Sequence, residues 1–225
     1  MIKGVLFDRD GTLLDTERLA RGFYQHHSER LGYSMSNETF SKLLGLCREK
    51  AIRVVQEDIH PDFPYEEVVS CYRADLLSAA QEGRVPLKRG FEECMQGLKA
   101  RGIRIALATS SPRSMVELYQ KTLPPMADAF DEILCGGEVQ RGKPAPDIFL
   151  AAAAKLGIAP EECLGIEDGL AGLESLQAAG IRSVMIPDML PYDEAFAGLV
   201  CYRLEHLGQL CGLIDRINLG AKTKA

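Results

Sequence analysis

From Leu87 onward, short apolar runs alternate with helical stretches, and few folds accept that order of elements. Phe91 to Arg101 reads as a helix stopped by Gly102, and Ile103 to Ala108 as an apolar strand. Met115 to Leu123 is helical and ended by Pro124-Pro125, Glu132 to Cys135 is a short strand, and Asp147 to Leu156 is an alanine-rich helix stopped by Gly157. Cys163 to Ile166 is a further strand, followed by a helix to Ala179-Gly180 and a strand from Arg182 to Ile186. A last helix is expected from about Leu204 to Leu219, before a polar tail. Near the start, Lys3 to Phe7 reads as another buried strand. Strands separated by helices pair in parallel through right-handed crossovers, so the expected class is α/β, a doubly wound parallel sheet of Rossmann-like form.

One segment breaks the alternation. Between Thr16 and Pro86 the chain reads as helix throughout: Thr16, as a cap, to Leu31, then from Ser36 or Asn37 to Leu44-Gly45, Arg48 to Ile59, and Tyr65 to Glu82. The breaker cluster His60-Pro61-Asp62-Phe63-Pro64 separates the last two. Helices without a strand form a small bundle and do not extend a sheet. The expected organisation is therefore a core of residues 1–15 and 87–225 carrying an inserted helical domain, residues 16–86, with hinges near Leu14-Asp15 and Val85-Pro86.

The formal charge of −6 over 225 residues disfavours broad binding to nucleic acid or an anionic membrane. Seven scattered cysteines without a C-x-x-C pair read as reduced thiols, not as a disulfide framework or zinc site. The N-terminus reads as strand running into Asp8 with no signal peptide, and no apolar run reaches the ~18 residues of a membrane helix. A cytoplasmic setting is expected, with no obligate protein partner implied.

Polar residues cluster where strands end. Val5-Leu6-Phe7 runs into Asp8-Arg9-Asp10-Gly11-Thr12, Ala108 into Thr109-Ser110-Ser111, and Ile166 into Glu167-Asp168-Gly169. In a parallel sheet those ends share one edge, where open α/β sheets bind ligands. Lys143 joins from the loop Gly142-Lys143-Pro144-Ala145-Pro146-Asp147, whose prolines restrict its course. Taken singly, Thr109 reads as a helix-entry cap, Lys143 as a solvated cation, and Glu167-Asp168 as a helix cap. Their common placement favours a site. Two carboxylates, a hydroxyl, an ammonium and a further acidic pair suit phosphoryl transfer with Mg²⁺, which prefers oxygen ligands.

These four segments resemble the four motifs of the haloacid dehalogenase superfamily, and the likeness covers nearly the whole chain. The helical insertion is similar to its α-helical cap. Lys143-Pro144-Ala145-Pro146-Asp147-Ile148-Phe149 is most similar to β-phosphoglucomutase and its phosphatase relatives. Aspartate at position 10 resembles the phosphatase and mutase branches, whereas Gly169 departs from the serine of many relatives. The resemblance implies Asp8 as nucleophile, Asp10 as acid–base, and Thr109, Ser110 and Lys143 as phosphate ligands. It implies Mg²⁺ held by Asp8, the Asp10 backbone carbonyl and Asp168, with Glu167 in support.

In the insertion, Gly45-Leu46-Cys47-Arg48-Glu49 resembles a substrate-facing loop, so Arg48 grips a phosphate or hydroxyl, or else is a solvated first-turn residue. The mutase carries a cap histidine where an ungapped reading puts Ala20; His26 and His27, about two turns further on, read as helix surface or packing. Arg73 is a candidate cation on the last cap helix. The expectation is a Mg²⁺-dependent phosphatase acting on a small phosphorylated metabolite, such as a sugar phosphate. A phosphomutase is the alternative, and a non-catalytic phospho-ligand-binding module the remote one.

Overall fold

The computed structural model describes residues 1–44, 46–189, 192 and 194–222. The chain forms two compact units, one of residues 1–14 and 86–225, the other of residues 15–85. It opens with strand β1 (Gly4–Phe7) and then enters the second unit through helices α1 (Thr16–Arg30), α2 (Asn37–Leu43), α3 (Arg48–Asp58) and α4 (Tyr65–Gln81). Back in the first unit come α5 (Phe91–Ala100), β2 (Arg104–Ala108), α6 (Arg113–Thr122), α7 (Pro124–Ala127) and β3 (Glu132–Leu134). There follow α8 (Asp147–Leu156), β4 (Cys163–Glu167), α9 (Leu170–Ala178), β5 (Arg182–Met185), β6 (Tyr202–Arg203) and α10 (Leu210–Lys222).

The sheet runs in the order β3-β2-β1-β4-β5-β6, and each of these pairings is parallel. From β1 the chain builds outward to β2 and β3, then crosses back to lay down β4, β5 and β6 on the other side. The reversal falls between β1 and β4, and such switch points open a crevice at the strands' carboxyl ends. In register, Phe7 sits beside Leu107 on one side and Ile166 on the other. The residues just beyond are Asp8, Ala108-Thr109 and Glu167-Asp168.

Both faces of the central strands are covered, which is why Val5, Leu6 and Phe7 are fully buried. Helix α8 places Ile148, Phe149, Ala152 and Leu156 against Leu6, Ala106 and Ala108. Small residues on α8 and β2 allow helix and sheet to approach closely, and full burial of a side chain such as Phe149 is worth about 1.5–3 kcal/mol. That packing fixes the helix whose leading loop carries Lys143.

The helical unit has its own core. Tyr24 of α1 packs edge-on to Phe40 at 5.8 Å and against Tyr72 of α4 at 5.2 Å between ring centroids. His27 of α1 is buried and pairs with Asp75 of α4 at 2.7 Å, while His26 is exposed. His27 thus packs and His26 lies on the helix surface, the two settings expected of them.

Some local expectations are corrected. Asp15 takes the cap position of α1 without a side-chain cap bond, and Thr16 is its buried first residue. At the next helix the cap is Ser36, whose Oγ accepts from the Thr39 amide at 2.9 Å. Pro124-Pro125 ends one helix and also opens the short α7, as prolines at a first turn can. The two-residue β6 was not expected, and the last helix begins at Leu210 because Leu204 and Leu207 are buried in the connection leading to it. The helix end expected at Leu44-Gly45 reaches Leu43, and Gly45 lies outside the described residues. Among the described residues no helix is long and apolar enough to cross a membrane, and all seven cysteines are free.

Candidate active site

Asp8 follows β1 directly, and its amide still belongs to the sheet, donating to the Ile166 carbonyl at 3.0 Å. Its side chain is largely buried, and Lys143 donates to its Oδ1 at 2.5 Å. The same ammonium donates to Glu167 Oε1 at 2.7 Å and lies 4.8 Å from the centre of the Phe149 ring. The second Glu167 oxygen accepts from the amides of Asp168 at 3.1 Å and Gly169 at 3.3 Å. Both Glu167 oxygens are therefore engaged: one holds Lys143, and the other accepts from the amides of the turn that leads to α9. Lys143 is not the solvated loop cation that its position taken singly would suggest, since its side chain is only 7% exposed.

Asp168 accepts from the Thr12 hydroxyl at 3.1 Å. Gly11, at φ +80°, lies beneath it, and a Cβ there would sit 2.2 Å from Asp168 Oδ2. Gly172 plays the same part for Glu167, where a Cβ would fall 1.7 Å from Oε1. Both glycines make room for a carboxylate.

The electrostatics follow from this crowding. Burial pushes the Asp8 carboxyl up to about 7; Lys143 opposes that, and Glu167 and Asp10 add to it. Burial, then Glu167 and Asp8, raise Asp168 well above the usual carboxylate range against the Thr12 bond. Burial alone would lower the Lys143 ammonium, but Asp8 and Glu167 outweigh it and hold it above its ordinary value.

Asp8, Glu167 and Asp168 each offer an oxygen within 4.8 Å of the others. Three carboxylates against one ammonium leave the cluster short of positive charge. An oxygen-only donor set of that sign fits Mg²⁺.

Thr109 is buried after β2, its amide donating to the Leu134 carbonyl at 3.0 Å and its hydroxyl accepting from the Ser111 amide at 3.2 Å. Ser110 is exposed beside it. Asp10 is half-buried and faces two residues that were not singled out from the sequence, Arg9 and Ser111. Arg9 Nη2 donates to Asp10 Oδ2 at 2.7 Å and to Ser111 Oγ at 2.8 Å, and Ser111 Oγ donates on to Asp10 Oδ2 at 3.1 Å. A cation set between two acids just after a buried strand was the available signal.

Asp8, Asp10, Thr109, Ser110, Lys143, Glu167 and Asp168 thus lie on the strand ends or loops of the first unit. Arg48 belongs to the helical unit, where it opens α3 and pairs with Glu66 of α4, both side chains 60% exposed. Arg73 is exposed on α4 and Ala20 is buried on α1.

Residues 2–180 match the model of the haloacid dehalogenase-like hydrolases. The chain is 36% identical over 191 residues to a probable pseudouridine-5'-phosphatase of Drosophila melanogaster, covering 81% of this chain and 80% of that protein. Protein CbbY of Rhodobacter capsulatus is 33% identical over 207 residues, covering 87% of this chain and 90% of its own length. Among solved structures, a variant of CbbY from Rhodobacter sphaeroides in complex with xylulose-(1,5)bisphosphate is similar, with a TM-score of 0.71 and 29% identity over 93% of this chain and 96% of that one. The chain therefore belongs to the haloacid dehalogenase-like hydrolase family, in which its relatives include phosphatases.

Proposed function

We propose that this chain is a Mg²⁺-dependent phosphatase that removes the phosphoryl group from a small phosphorylated metabolite, a sugar phosphate in the first instance, through an aspartyl-phosphate on Asp8. The observation that carries the reading is the Asp8–Lys143–Glu167 chain at the switch point, a buried carboxylate with a cation fixed against it. The curated relatives support the substrate class, since one is a probable pseudouridine-5'-phosphatase and the CbbY structure holds a sugar bisphosphate.

In this reading a carboxylate oxygen of Asp8 attacks phosphorus, and the bond from phosphorus to the leaving oxygen breaks. Asp10 protonates that oxygen as it departs, a contribution of typically ~10²–10⁴-fold. Water then attacks the phosphorus of the aspartyl-phosphate, Asp10 takes the water's proton, and the bond to Asp8 breaks to release phosphate. Lys143, Thr109 and Ser110 hold the phosphoryl oxygens while charge shifts over them. The Asp8 side chain, the Asp10 backbone carbonyl and Asp168 would hold Mg²⁺, with Glu167 in support through its charge and its grip on Lys143. Bound there, the cation supplies screening between the attacking carboxylate and a phosphate dianion.

The cap is assigned to residues 16–86, one position offset from the helical unit of residues 15–85, with Arg48 as its substrate-facing cation. That role requires the Arg48–Glu66 pair to open, which is inexpensive for so exposed a pair. A cytoplasmic setting and the absence of nucleic-acid, membrane or obligate protein partners complete the reading.

The test is phosphate release with Mg²⁺ across sugar phosphates, nucleotides and β-glucose 1-phosphate, with Asp8→Asn alongside. Release from one or a few compounds, lost in the variant, is expected. Conversion of β-glucose 1-phosphate to glucose 6-phosphate with little free phosphate would instead identify a mutase. No turnover of any phosphoester would leave only a binding module.

A further inference from the structure

Between the two aspartates stands a residue that neither the metal nor the phosphoryl group requires. Arg9 is 3% exposed, although a guanidinium is costly to bury without partners. Its fork closes on Asp10, with Nε donating to Oδ1 at 3.3 Å and Nη2 to Oδ2 at 2.7 Å. Nη2 also donates to Ser111 Oγ, which donates to the same Asp10 oxygen, so the three side chains form a closed triangle. The guanidinium is fixed from behind, 4.8 Å from the centre of the buried Tyr119 ring of α6. Ser111 is fixed as well: its amide donates to Thr109 Oγ1 and its carbonyl accepts from the Gly136 amide at 2.8 Å.

A carboxylate on a two-torsion side chain, 31% exposed at a crevice, is ordinarily free to turn. Here both oxygens accept from a guanidinium that is itself buried, bonded to Ser111 and set over the Tyr119 ring. We infer that Arg9, with Ser111, is a positioning residue that sets the carboxylate plane of Asp10 and so aims the acid–base at the leaving oxygen and the attacking water. This rests on the reading of Asp10 as acid–base. Lysine would keep the charge of Arg9 but not the two-point grip, because an ammonium lacks the planar fork.

The effect of losing aim depends on the leaving group. Proton donation matters for a basic leaving oxygen and little for an acidic one. The experiment therefore compares phenyl phosphate with p-nitrophenyl phosphate, near-identical in shape, on the Mg²⁺-loaded full chain. With Arg9→Met, phenyl phosphate turnover is expected to fall by roughly 10–100-fold, within the range general acid–base catalysis supplies. The first-turnover burst of p-nitrophenol is expected to change by less than about threefold, since that step needs little help from an acid. Arg9→Lys should show the same split to a smaller degree, which keeps the test available if Arg9→Met fails to fold.

A double-mutant cycle separates aim from general damage. In an Asp10→Asn background, Arg9→Met should cost nothing further, because nothing is left to aim. Equal losses on both esters, a full further loss in the Asp10→Asn background, or wild-type kinetics in Arg9→Met would each overturn the inference. Wild-type phenyl phosphate turnover in Asp10→Asn alone would overturn the acid–base reading instead, and is recognisable as such.

Discussion

Asp8 and Asp10 are the same side chain two residues apart, and their surroundings divide them. Asp8 is largely buried among Lys143, Glu167 and Asp168, whereas Asp10 is half-buried against Arg9 and Ser111. A nucleophile benefits from a fixed cation and exclusion of water; an acid–base must face the cleft and stay aimed. The same crowding makes Gly172 a sensitive position. In Gly172→Ala the new Cβ would lie 1.7 Å from Glu167 Oε1, so the carboxylate must move and Lys143 with it. Overpacking of that kind typically costs about 1–3 kcal/mol, and a displaced catalytic group costs roughly 10²-fold in turnover per ångström. Urea unfolding and steady-state kinetics on that variant should show both losses. A stable variant with wild-type turnover would mean that the Glu167 bridge does not matter.

At the scale of elements, the strands nearest the site were the most legible. β1, β2 and β4 each combine an apolar run with an abrupt polar ending, and those endings carry the proposed site. β6 was not legible, because two residues at a sheet edge carry no period to read. α7 was missed because adjacent prolines mark a stop and a start equally well. Arg9 had a local signal, its place between two acids, but Ser111 had none: its contact with Arg9 spans 102 positions of sequence, which local pattern does not encode. Local chemistry does predict the behaviour of α2. Its cap, Ser36, satisfies the Thr39 amide, so Ser36→Ala should lower stability by about 0.5–2 kcal/mol. Chemical denaturation would measure this, and an unchanged midpoint would count against the cap's importance. Activity per folded molecule should not change.

At the scale of the whole molecule, the proposed cation site ties pH to folding stability. Without metal, the Asp8 carboxyl sits at about 7, above its ordinary 3.8. The folded chain therefore retains a proton that the unfolded chain has released, and the associated stability is present below about pH 4 and lost as pH rises through 7. A cation held by these carboxylates competes with that proton, so its affinity should weaken by about tenfold per pH unit below 7 for each proton displaced. Stabilisation by Mg²⁺, followed by thermal unfolding at fixed concentration, should thus be larger at pH 8 than at pH 5.5. An equal shift at both values would mean that the cation does not bind at these carboxylates.

The most direct measurement of the central claim is to quench the enzyme in acid during turnover of a phosphoester and locate the phosphoryl group by mass. A phosphoryl group is expected on the peptide containing Asp8, acid-stable and released by hydroxylamine, and none in Asp8→Asn. Rapid Mg²⁺-dependent hydrolysis by Asp8→Asn, or turnover with no label on that peptide at any quench time, would contradict a covalent route through Asp8.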